Sequence, residues 1–107
     1  MLAKKGRCLI AEDEGMTMRF ICRTLEQAGY EIIGVDSDGN RAIEASLELE
    51  PDLLVINLNM PRMSGIEAAR HISAVRPLPI VMVSGYQDDT TIESAFSAGV
   101  STFLTKP

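Results

Sequence analysis

The polar residues with chemical potential in this chain stand where apolar runs stop. Glu12 and Asp13 follow Cys8-Leu9-Ile10-Ala11, and Asn57 follows Leu53-Leu54-Val55-Ile56. Ser84 follows Ile80-Val81-Met82-Val83, and Lys106 closes the segment containing Phe103 and Leu104. Adjacent carboxylates beside a hydroxyl and an ammonium suit a hard cation and a phosphoryl group. Magnesium takes one or two carboxylates, a carbonyl and waters. Lysine offers a point positive charge to phosphoryl oxygens, and Ser84 with the Gly85 amide offers hydrogen-bond donors. Each residue has a plainer reading alone: acids at a helix start answer its dipole, a serine at a strand end is a turn residue, and a lysine near a terminus is solvated. Their coincidence at equivalent strand ends favours a shared site.

The elements that position these groups follow from periodicity. Leu53 to Ile56 is apolar on both side-chain faces, as a strand buried in a parallel sheet should be. Pro61 cannot belong to that strand's interior, so the chain has turned by then. Asn57 therefore sits at the carboxyl end of a central strand, where ligands collect in open α/β sheets.

The rest of the chain alternates in the same way. Arg7 to Ala11 reads as a first strand. Met18, Ile21, Leu25 and Ala28 recur at helical spacing until Gly29. Glu31 to Asp36 is a second strand, Asp38-Gly39-Asn40 a turn, and Ala42 to Leu49 a helix stopped before Pro51. Ser64-Gly65-Ile66-Glu67 has capping-box spacing and opens a helix to about Val75. Ile80 to Ser84 is the fourth strand. Thr90-Thr91-Ile92-Glu93 offers a second capping box for a helix ending near Gly99, and Thr102 to Leu104 is a fifth strand. Such βα units have right-handed crossovers and give a parallel sheet with helices on both faces. A doubly wound sheet wants a helix after its last strand. The sequence stops at Pro107, so a strip of sheet is expected to be exposed, covered by another chain, or covered by residues beyond this sequence.

With 107 residues the chain is expected to be one domain with one core. The formal net charge of -5 argues against nonspecific binding to nucleic acid or to an anionic membrane. No apolar run approaches the roughly 20 residues that span a bilayer, and the basic start, Lys4-Lys5-Gly6-Arg7, leads into a stretch too short for a signal peptide. The expected location is the cytoplasm. Cys8 and Cys22 read as small hydrophobes, since a lone pair cannot complete a structural zinc site. His71, the only histidine, reads as a surface helix residue.

At these motifs the chain resembles the response-regulator receiver domains of bacterial two-component signalling, the CheY-like phospho-switches. The likeness runs through Cys8 to Glu14, Asp38-Gly39-Asn40-Arg41-Ala42, Pro51 to Gly65, Ile80 to Gly85, and Ala95 to Pro107 with Ala98-Gly99, Phe103 and Lys106-Pro107. It implies a flavodoxin-like five-stranded parallel sheet in the order 2-1-3-4-5, with the family's fifth helix missing from this sequence. It implies a magnesium site at Asp13, position 57 and the Asn59 carbonyl, with Glu12 acting through water. Ser84, Gly85 and Lys106 would hold the phosphoryl group, and Phe103 would move inward when Ser84 is drawn to it. The Lys106–Pro107 bond is expected to be cis, as the family implies. The implied partners are a sensor histidine kinase or phosphotransfer protein and an output domain or partner protein, with a homodimer as a further expectation.

The departure is Asn57, where the family carries the phosphoacceptor Asp. Phosphoryl transfer needs an anionic oxygen nucleophile held in line with phosphorus, and a neutral amide oxygen is a poor one. Magnesium is expected to bind weakly here, because a charged ligand is gone. Two functions remain: a receiver held unphosphorylated that regulates an output, and a phospho-independent pseudo-receiver acting as an interaction or dimerisation module. An enzyme is not expected, because a phosphatase-type mechanism would need a nucleophilic Asp at this strand end.

Overall fold

The short apolar runs all become strands of one sheet. The computed structural model describes residues 5–85 and 88–106. In chain order the elements are β1 (Gly6–Ala11), α1 (Gly15–Gln27), β2 (Tyr30–Asp36), α2 (Gly39–Leu49), β3 (Leu53–Asn57), α3 (Gly65–Val75), β4 (Ile80–Ser84), α4 (Asp89–Ser97) and β5 (Thr102–Thr105). The strands lie in the order β2-β1-β3-β4-β5 and every neighbouring pair is parallel. This is the flavodoxin-like doubly wound arrangement. Its register sets Ala11 beside Ile56, Ile56 beside Met82 and Met82 beside Phe103, so the carboxyl ends of β1, β3, β4 and β5 come level.

Alternation along each strand divides the core into two layers. Leu9, Leu54, Ile56, Ile80 and Met82 pack with Ala42 of α2, Ala68, Ala69 and Ile72 of α3, and Ala95 of α4. The opposite face carries Cys8, Ile10, Val55 and Val83, against which Ile21, Cys22 and Leu25 of α1 pack. Both cysteines are free thiols, Cys8 buried and Cys22 half-buried. His71 is exposed on α3, as its position predicts. Among the described residues no helix is long and apolar enough to cross a membrane.

Two helix starts differ from expectation. Asp38 does not begin a free turn. It is the N-cap of α2 and accepts a 2.9 Å hydrogen bond from the Arg41 amide, so Gly39 and Asn40 are already helical. In α4 the cap is Asp88, not a residue of the Thr90–Glu93 box. The Asp88 carboxylate accepts from the Thr91 amide at 2.8 Å and from its hydroxyl at 3.1 Å, two bonds that fix the start upstream of the expected one. In α3, Ser64 caps as expected, accepting from the Glu67 amide at 3.2 Å. Helix α1 is capped at Ala28 and the chain turns away at Gly29, whose φ of 102° lies in the left-handed region that suits glycine.

One irregularity interrupts the β1–β2 ladder. Cys8 pairs with Ile32 but Leu9 pairs with Gly34, which leaves Ile33 as an extra residue in β2. A side chain at Gly34 would bring its Cβ to 2.9 Å from Leu9 Cδ1, so the end of the Leu9 side chain would have to shift to admit it. The expected cis bond at Lys106–Pro107 involves Pro107, which lies outside the described residues.

Candidate functional site

The end of β1 is pinned before the acids begin. The Glu12 amide donates to the Asp36 carbonyl at 2.9 Å, extending the sheet by one bond. Glu12 is thereby drawn under cover, at 3% exposure, whereas Asp13 is exposed. At the end of β3 the Leu58 amide donates to the Val83 carbonyl at 2.9 Å, and Gly65 returns to donate to the Leu58 carbonyl at 2.7 Å. These bonds hold Asn57 at 4% exposure beneath the loop that follows it.

Asn57 is the hub of the site. Its Nδ2 donates toward the Asn59 carbonyl at 2.7 Å, Asp13 Oδ1 at 2.9 Å and Glu12 Oε2 at 3.1 Å. Three acceptors around one point decide which end of the amide faces them, because its oxygen would meet only other oxygens. Glu12 Oε2 also accepts from the Glu14 amide at 3.2 Å. The Lys106 ammonium lies 3.1 Å from Glu12 Oε1, forming an ion pair that is largely shielded from solvent. Lys106 is carried there by β5, and its own amide donates to the Ser84 carbonyl at 2.6 Å.

The remaining predicted residues stand around this core of contacts. Ser84 is fully buried at the end of β4 and pairs in register with Thr105. Gly85 is exposed, and a Cβ built on it would meet nothing within 4 Å. It borders a shallow pocket with Lys106, Glu14, Met16, Thr17 and Phe20. Phe103 is half-buried and packs on the layer formed with α2, α3 and α4. The fold thus joins Glu12, Asp13, Asn57, Asn59 and Lys106 by direct contacts, and links Ser84 to Lys106 through the backbone.

Two supporting positions were not singled out from the sequence. Gly65 lies so close to β3 that a Cβ there would stand 2.3 Å from the Asn57 carbonyl oxygen. Its place one residue after the Ser64 cap was the available signal. Arg62, with φ of 69°, reaches across to Asp38 Oδ2 at 3.0 Å and ties the loop after β3 to the start of α2. The Asp38 carboxyl is held below the usual carboxylate range by the Arg41 amide, with the Arg62 and Arg41 charges adding to it.

A family model for the response regulator receiver domain matches residues 8–107. The chain belongs to the response-regulator receiver family. A related protein is the transcriptional regulatory protein PdtaR of Mycobacterium tuberculosis, 39% identical over 101 residues, which cover 94% of this chain and 49% of PdtaR. The chain spans about half the length of that relative. Among solved structures, a LuxR-family two-component response regulator from Aurantimonas sp. SI85-9A1 superposes with a TM-score of 0.90 at 29% identity, over 94% of this chain and 74% of that one. CheY of Borrelia burgdorferi, solved in a CheX–CheY–BeF3–Mg2+ complex, shares the fold with a TM-score of 0.90 at 23% identity, over 94% of this chain and 78% of that one.

Receiver domains generally bind magnesium, so this receiver's site can be tested for fit. Glu12 Oε2, Asp13 Oδ1 and the Asn59 carbonyl converge on one point, and all are hard oxygen donors of the kind magnesium takes. The point they surround holds an N–H donor, and one of the two carboxylates is already paired with Lys106. Among the described residues there is no group of three or more His, Cys, Asp or Glu side chains that could hold a metal. The donor set therefore fits the ion in type and aim, and falls short of it in charge.

Proposed function

We propose that this receiver is a signalling module held in its unphosphorylated form, regulating an output domain or partner protein without accepting a phosphoryl group. The observation that carries this reading is Asn57, which stands buried at the end of β3 with its amide committed to Glu12, Asp13 and Asn59. A carboxamide there has no anionic oxygen to attack phosphorus. Glu12, Asp13 and the Asn59 carbonyl would hold magnesium weakly, with Asn57 able to add only an amide oxygen after turning. The ion, when bound, would neutralise phosphoryl oxygens. Ser84, the Gly85 amide and Lys106 form the side that would meet a phosphoryl group, and Phe103 is the aromatic that would follow Ser84. In this reading the partners are a histidine kinase or phosphotransfer protein and an output, the module works in the cytoplasm, and it catalyses no reaction of its own. Incubation with labelled acetyl phosphate and magnesium should leave the chain unlabelled, and Asn57→Asp should gain magnesium-dependent label. Stable one-to-one labelling of the unaltered chain would overturn the reading.

A second reading, a phospho-independent module that acts as a homodimer, is favoured by one feature. The sheet face beside α1 carries an apolar groove of about 350 Å³ lined by Phe20, Leu25, Leu53, Val81, Val83 and Leu104. Phe20 is 62% exposed and Leu104 50%. Paired copies would bury both. Sedimentation should then give a dimer that Phe20→Asp dissociates, whereas a compact monomer at high concentration would remove this reading.

A further inference from the structure

We infer that the Asn57 carboxamide is the resident counter-group of the acidic pocket: it occupies the cation's place and competes with the ion. This inference rests on the reading of Glu12, Asp13 and Asn59 as a magnesium pocket, and it changes the part played by position 57. Loss of the family carboxylate alone would make Asn57 a poor ligand, still contributing something through its amide oxygen. The geometry points elsewhere. The end of the side chain that faces the pocket is Nδ2, within 2.7 to 3.1 Å of three oxygens that would otherwise converge on a metal.

The pocket is largely satisfied from within. Two N–H groups of one amide serve the Asn59 carbonyl and both carboxylates, and Lys106 compensates the far oxygen of Glu12. The Glu14 amide supplies a further donor to Glu12 Oε2. Most buried acceptors are thus matched with donors; the exception is Glu12 Oε1, which has the Lys106 charge beside it but accepts no hydrogen bond. A magnesium ion could enter only after the amide turns away, because the ion and Nδ2 cannot occupy the same point between those oxygens. At 4% exposure Asn57 has little room to turn without moving the loop above it. Metal entry is therefore coupled to a change of the Asn57 side chain and the Asn59 carbonyl.

The two accounts of position 57 predict opposite signs for one substitution. If Asn57 is a weak ligand, Asn57→Ala removes a ligand and magnesium binds less tightly. If Asn57 is a plug, Asn57→Ala removes the competitor and water completes the coordination. Calorimetric titration with magnesium chloride should then give Asn57→Ala roughly five- to tenfold tighter than the unaltered chain, the net worth of about one ordinary hydrogen bond. Asn57→Asp should bind tightest. An Asn57→Ala affinity equal to or below that of the unaltered chain would overturn the inference while leaving the pocket intact, provided Asn57→Asp binds. Failure of Asn57→Asp to bind magnesium would sink the pocket and the inference with it.

A second measurement reads the unaltered chain and does not depend on Asn57→Ala. The Asn57 side-chain NH2 signals in a proton–nitrogen spectrum can be assigned by their loss in Asn57→Asp. Saturating magnesium should move both proton resonances of the unaltered chain further than any other side-chain amide. Binding seen by calorimetry with those signals unmoved would refute the plug.

Discussion

A buried glutamate beside an exposed aspartate is an unfavourable neighbour unless donors stand between them. In this receiver the donors are the Asn57 amide and the Lys106 ammonium. Asn57→Asp would replace the amide donor with another carboxylate and leave like charges clustered at the end of β3. We expect the metal-free fold to lose about 1 to 2 kcal/mol, the scale of a charge-assisted bond exchanged for an unsatisfied group. Denaturant melts of both forms in chelator test this, and magnesium should narrow the gap because it binds only the folded state. The positions of Glu12, Asp13, Asn57 and Lys106 were legible in the sequence, since each stands at or just past the end of a strand-like run. The direction of the Asn57 amide was not, because it is set by acceptors from separate segments that meet only in the folded sheet. The cysteines make a second case at this scale. Burial, with a smaller contribution from Cys22, pushes the Cys8 thiol up to about 12. The Cys8 thiol stays protonated near neutrality, so alkylation of the native protein should reach Cys22 well before Cys8, and denaturant should abolish the difference.

At the scale of elements, the site depends on how closely α3 approaches β3. Gly65 has no Cβ where one would overlap the Asn57 carbonyl. Gly65→Ala should therefore push the helix start outward, costing about 2 to 3 kcal/mol by overpacking, and should perturb the Asn57 side-chain resonances. A melt unchanged from the parent would show that the contact relaxes freely. The strands β3 and β4 begin and end where the sequence placed them, because runs of branched residues bounded by proline or polar residues leave little choice. The starts of α2 and α4 were misplaced because an aspartate before glycine or another aspartate reads equally as a turn or as a cap. The side chain's target, the Arg41 or Thr91 amide, decides between them. The Asp38 cap also gives a pH dependence. Its folded-state carboxyl titrates below the usual range, so its stabilisation is present above the unfolded value of about 3.9 and is lost as pH falls through the folded one. Denaturation midpoints followed from neutral to acid pH should fall less steeply for Asp38→Asn than for the parent.

On the whole molecule, the two faces of the sheet are unequally covered. The face toward α2, α3 and α4 forms the larger buried layer, and the other is covered by α1 beside the open groove. Nothing in the sequence pointed to Phe20 as a lining residue of that groove. The two edges of the sheet are unequal as well, and the bulge at Ile33 gives that a consequence. An outermost strand is a template on which a foreign strand can add, and a regular ladder is the better template. β2 carries the extra residue beside Gly34, together with Glu31 and Asp36, so its backbone bends and its charges repel a matching copy. Deleting Ile33 would restore the register and straighten that edge. The shortened chain should scatter more light on concentration or warming than its parent, because a straightened β2 is a better template for a foreign strand.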